Sequence, residues 1–129
     1  MIPHALPHLA LWQGLGRVLI VAMLVVALLP APQGIASVPL GDKIGHFLGF
    51  TALVLWYAQI YPRPVDRLRC VLGAIGLGAL IELLQILVPY RSAELLDLLA
   101  DALGAALGAC AAMTPLGRIL SRLDRARRP

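Results

Sequence analysis

The chain has 129 residues, of which 60% are hydrophobic and 14% charged, and its mean hydropathy is +0.84. A soluble domain of this size usually carries about a quarter charged residues, so the composition argues for a polytopic membrane protein instead. The formal net charge is +4, yet aromatics at 5% exclude an aromatic-rich nucleic-acid platform, and no nucleic-acid partner is expected.

Met1 to Gln13 reads as a loose end. His4 and His8 stand four apart, but Pro7 between them works against the helix that would aim both at one metal ion. Arg17 then precedes the apolar run Val18–Leu29, which ends at Pro30. Twelve helical residues cover only ~18 Å, so a full crossing recruits neighbours, and a first span over about 15–32 is expected with Arg17 snorkelling to the surface. A basic residue before a short apolar core also fits a cleaved leader, with Ile35–Ala36–Ser37 at the cut. Ala31 to Gly41, with Pro32, Gly34 and Pro39, reads as an external loop.

The second span is expected over about 43–61. Asp42 is placed to cap its start, with Asp42 and His46 on one face and Gly45 and Gly49 leaving room for a neighbour. Trp56, Tyr57 and Tyr61 approach the far interface. Pro62 to Arg67 reads as a basic turn. The third span, about 69–88, is rich in glycine at Gly73, Gly76 and Gly78. The fourth, about 95–114, carries Gly104/Gly108 and Ala105/Ala109 as small-residue pairs whose plain role is helix packing. Residues 116–129 hold five arginines, with Leu116, Ile119, Leu120 and Leu123 at helical spacing, and are expected to lie on an anionic membrane face. Cys70 and Cys110 form neither a CxxC nor a metal-spaced set and read as reduced packing residues. The expected fold is therefore all-α: one membrane domain of about four spans with a basic amphipathic C-terminal segment.

Charge sets the expected orientation. With both termini cytoplasmic, nine basic residues face two acids on the inside, and two basic residues face five acids on the outside, as the positive-inside rule requires. This topology gathers Asp42, Lys43, His46, Glu82, Gln85, Arg91, Asp97 and Asp101 at the outer ends of three spans. Ionisable groups inside a bilayer are expensive and usually functional. Lys43 and Arg91 can pair with Asp97 and Asp101 merely to fix helix order; the sharper expectation is a charged unit of Glu82, Arg91 and Asp97. Asp42, His46, Glu82 and Asp97 supply ligands for a divalent metal. For catalysis, Glu82 or Asp97 would serve as base, His46 as acid and Arg91 as charge stabiliser. No GxSxG, HExxH or P-loop is present, and no serine lies in an expected span.

Asp42–Lys43–Ile44–Gly45–His46–Phe47, then Ile81–Glu82–Leu83–Leu84–Gln85, then Arg91 followed by Asp97–Leu98–Leu99–Ala100–Asp101–Ala102–Leu103–Gly104 resemble the VanZ-like family. The resemblance implies a small integral protein of the bacterial cytoplasmic membrane, related to a protein associated with teicoplanin resistance. Its polar positions fall on Asp42, Lys43, His46, Glu82, Gln85, Arg91 and Asp97. Where the family usually carries Asn, this chain has Asp101, which adds a carboxylate. Membrane lipids are the expected surroundings. Two function classes follow: binding of a lipid-linked envelope precursor or lipophilic glycopeptide, or a membrane-embedded hydrolase or transferase, with metal, acting on a lipid-linked substrate.

Overall fold

A computed structural model describes residues 1–30 and 40–126. Among these residues the protein is all-helical: α1 (Leu9–Leu28), α2 (Gly41–Ile60), α3 (Pro64–Gln85), α4 (Leu95–Ala111), a 3-10 turn (Pro115–Arg118) and α5 (Ile119–Ala126). The proposed leader cut at Ile35–Ala36–Ser37 and most of the expected external loop lie outside the described residues, as do Arg127 to Pro129.

Among the described residues, two helices, α1 and α3, are long and apolar enough to cross a membrane; a third span is counted if α4 and the segment Pro115–Ala126, bent by 71°, form one. α1 starts earlier than the expected 15–32 and stops before Pro30, with Leu29 held in the extended region favoured ahead of proline. α3 starts within what reads as a basic turn, because Pro64 sits in its first turn, where a missing N–H costs nothing. It ends at Gln85 rather than Val88, and α4 ends at Ala111 rather than Thr114. Asp42 does not cap α2. Leu40 holds the cap position, at φ 61° in the left-handed region, and no side chain caps the end.

α2 is the central helix. Phe50, Leu53 and Val54 meet Ala74 and Ile81 of α3, Ala105 of α4 and Ala27 of α1 in the main core. In lipid such helices gain little from apolar burial itself and depend on close packing and polar links. That packing is tightest between α2 and α4: a Cβ at Gly104 would collide with the Phe47 carbonyl oxygen, and one at Gly108 with that of Thr51. Gly78 accommodates the Asp101 carboxylate in the same way. Gly45, Gly73 and Gly76 face open space, so their expected packing role is not realised. α1 lies at the edge, with Val18, Val21, Val25 and Val26 each more than half exposed.

The two chain ends meet at the arginine-rich end of the bundle. Leu6, Trp12, Ile60 and Leu120 form a second core there. The Ile2 N–H donates to Asp66 at 3.1 Å, and the His4 N–H donates to the Ile60 carbonyl at 2.6 Å. The leader is thus packed, not loose. Trp56 belongs to the same packing: its indole donates to the Trp12 carbonyl at 3.0 Å, and the two rings meet edge-on. α5 also belongs to the bundle, with Leu120 and Asp124 buried while Leu116, Ile119 and Leu123 stay exposed. Gly117 permits the turn into it, since a Cβ there would strike the Ala112 carbonyl. Cys70 and Cys110 are free thiols; Cys70 packs partly against the main core and Cys110 is exposed.

Candidate functional site

At the opposite end, the starts of α2 and α4 and the end of α3 bring the polar residues together. Lys43, in the first turn of α2, reaches Glu94 at 2.6 Å and Asp97 at 3.1 Å. One turn further in, His46 Nδ1 meets Asp101 Oδ1 at 2.8 Å, with both side chains buried. This is the same one-turn step on both helices (43 to 46/47, 97 to 101), so two polar rungs join α2 to α4 at successive depths. With Asp101 as the acceptor, His46 Nδ1 is the donor and its Nε2 is left for another partner.

Arg91 pairs with Asp42, at 3.2 and 3.3 Å to its two oxygens, and donates to the Val26 carbonyl at 3.4 Å. This corrects the expected unit of Glu82, Arg91 and Asp97. Asp97 takes Lys43 as its cation. Glu82 accepts the Glu94 N–H at 2.7 Å, satisfying a backbone donor at the start of α4. The register explains the exchange: Lys43 lies over the start of α4, while Arg91 leaves the loop on the side of α1 and Asp42. The alternative pairing of Lys43 with Asp97 is the one formed, and Asp101 takes His46 rather than a cation. Gln85 donates to the Ala27 carbonyl at 3.0 Å and Tyr90 to that of Leu28 at 3.1 Å, so α3 and its following loop hold the end of α1.

Outside the expected spans the carboxyl groups of Glu94 and Asp124 are shifted. The hydrogen bond from Lys43 holds the exposed Glu94 carboxyl below its ordinary pKa. At the other end, burial of Asp124 works to raise its pKa, but donors from the Trp12 indole and from the His8 side chain and backbone prevail and lower it.

Asp42, His46 and Arg91 also line one end of a cavity of about 320 Å³ whose other walls are apolar: Met23, Val26, Gly49, Phe50, Ile81 and their neighbours. Several buried polar atoms here have no partner among the described residues: Arg91 Nε, Glu82 Oε1, Gln85 Oε1 and Asp101 Oδ2. Of the four expected metal ligands, one atom each from Asp42, His46 and Asp97 lie within 4.8 Å of one another; Glu82 does not join them.

A helical protein with membrane-spanning character and a charged cluster at the end of its central hairpins is the class these features define. Residues 7–117 match the VanZ/LLP1 family, and the chain belongs to it. It is 30% identical over 112 residues to Uncharacterized protein C11E3.10 of Schizosaccharomyces pombe, an alignment covering 83% of this chain and 67% of that relative. No solved structure matches the chain. The sequence pointed to eight of the polar residues at this end. It missed Glu94 as a partner for Lys43, although Glu94 immediately precedes an apolar helical run, and it missed the Asp124 clamp, whose partners are over a hundred positions away.

Proposed function

We propose that this VanZ/LLP1 protein crosses the membrane four times, with both termini cytoplasmic, and binds an amphiphilic component of the cell envelope in its outward-facing cavity. The partition of basic residues supports that orientation. The arginines of α5, beside exposed Leu116, Ile119 and Leu123, suit an anionic leaflet. The observation that carries the binding reading is the cavity beside α1. It is apolar along its length and ends on Asp42, His46 and Arg91, with Arg91 Nε buried and unpartnered among the described residues.

A chain fits the apolar walls, and a charged or hydroxylated head fits the polar end. Arg91 would hold an anionic group, while Asp42 would take hydroxyls or amines. Ligand pockets run from about 300 to 1,000 Å³, so this cavity, at the small end, takes the lipid part of a larger envelope precursor or glycopeptide rather than the whole molecule. A membrane-embedded hydrolase or transferase is the second reading, favoured by the convergence of Asp42, His46 and Asp97.

Mass spectrometry of lipids retained by gently purified protein tests the reading. One headgroup-bearing class should be enriched over bulk membrane lipid and lost in Arg91→Ala. Retained lipid matching the bulk composition would refute it. Conversion of the retained lipid by wild type, but not by Glu82→Gln or His46→Ala, would mark the enzyme instead.

A further inference from the structure

Five carboxylates meet at the polar end, from Asp42, Glu82, Glu94, Asp97 and Asp101, against two permanent cations, Lys43 and Arg91. Asp97 and Asp101 are buried, at 2% and 0% exposure. Uncompensated charge in such a place is costly, so the excess is met by protons or by another cation. We infer that a divalent cation binds between Asp42, His46 and Asp97.

The ligand set is one imidazole and two carboxylates, which suits a borderline first-row ion such as Zn²⁺ or Mn²⁺ better than Ca²⁺. The three donor atoms lie within 4.8 Å of one another. Ligands sharing an ion at ~2.1 Å stand no more than ~4.2 Å apart, so a small closing movement suffices. Asp101 adds to this cluster a partner that fixes the imidazole. Its bond to His46 Nδ1 at 2.8 Å would leave Nε2 to ligate the ion, the carboxylate–histidine arrangement that orients metal-binding imidazoles. Asp101 is therefore a positioning residue, with no contact to the ion. Asp42 is 44% exposed and lines the cavity, giving the ion an entrance. Lys43 and Arg91 sit on the same carboxylates and neutralise them when the ion is away. Glu82 lies outside the set.

The inference is independent of the lipid reading, since a cation can bind with or without an amphiphile. The experiment is Zn²⁺ titration of metal-stripped, delipidated full-length protein in detergent, with bound metal counted by elemental analysis after dialysis. One equivalent should bind. Asp97→Asn and His46→Gln should abolish it. Asp42→Asn, at a half-exposed position whose amide oxygen can still accept from Arg91, should weaken it at least tenfold. Asp101→Asn should keep one equivalent but weaken binding by about 10–100-fold, the range for a residue that orients a ligand. Glu82→Gln should bind as wild type. Less than a tenth of an equivalent in folded wild type would overturn the site, as would undiminished binding in Asp42→Asn. Pairing of the acids by protons alone would then be the answer.

Discussion

Lys43 of α2 stands 3.1 Å from Asp97 of α4, and this ion pair, not one involving Arg91, joins the two helices at the polar end. The Lys43 side chain is 20% exposed and that of Asp97 only 2%. Breaking a fully buried pair from one side costs about 3–5 kcal/mol. Lys43→Met should fall near the lower end of that range, and adding Asp97→Asn should restore part of the loss. Arg91→Ala and Asp97→Asn should couple less strongly than Lys43→Met and Asp97→Asn, because Arg91 serves Asp42. Thermal unfolding in detergent of the singles and both doubles measures this. Coupling between Arg91 and Asp97 in place of coupling between Lys43 and Asp97 would contradict the pairing.

Glycines on the helices divide into two groups with opposite expected effects. Gly104→Ala and Gly108→Ala push a methyl into a carbonyl oxygen of α2, and such overpacking costs about 1–3 kcal/mol. Gly73→Ala and Gly76→Ala meet nothing within 4 Å and should be neutral or stabilising, by up to ~1 kcal/mol of helix propensity. Thermal shifts of the four variants, read against wild type, check both signs together.

Asp124 Oδ1 accepts from the Trp12 indole at 2.9 Å, from the His8 N–H at 3.2 Å and from His8 Nδ1 at 2.9 Å, clamping α5 to the start of α1. Its pKa is lower in the folded protein than in the unfolded chain. The stability it contributes is thus complete above the ordinary aspartate value of ~3.9 and is lost as pH falls through the lower folded value. Asp124→Asn should remove that part of the acid dependence and expose the leader to proteolysis at neutral pH. Limited proteolysis and acid unfolding of wild type and variant provide the check; equal protection of the two leaders would show that the clamp holds nothing.

Orientation is open to reporter fusions after Gln33, Pro64, Ser92 and Pro129. The proposed four-span topology expects outside, inside, outside and inside in that order. A cytoplasmic signal at Ser92 would put the charged cluster on the wrong face for an envelope ligand.

The all-helical fold and the gathering of charge were legible because both depend on local pattern: long apolar runs, small residues four apart, and acids placed where lipid would exclude them. Pairing was legible only in part: Lys43 with Asp97 was among the expected alternatives, whereas Arg91 with Asp42 and Lys43 with Glu94 were not. Which cation takes which acid depends on the angle at which the loop before α4 releases Arg91 and on the depth of Lys43 in α2, and neither leaves a periodic trace. The leader and tail failed for a related reason. Trp12 and Leu120 look like ordinary interface residues alone, and their burial requires chain ends more than a hundred residues apart to meet. Asp101 showed as one of the gathered acids and as a departure from the family's Asn, but its partner His46 did not show.

The binding reading is tested most directly by filling one cavity while leaving another open. Gly49 lines the cavity that ends on Asp42, His46 and Arg91, whereas Gly73 lines a separate cavity of about 310 Å³ toward the arginine-rich end. Native mass spectrometry of wild type, Gly49→Leu and Gly73→Leu, released from identical membranes, compares them. The amphiphile should remain on wild type and Gly73→Leu and be absent from folded Gly49→Leu. Equal retention by all three would contradict binding in the cavity beside α1.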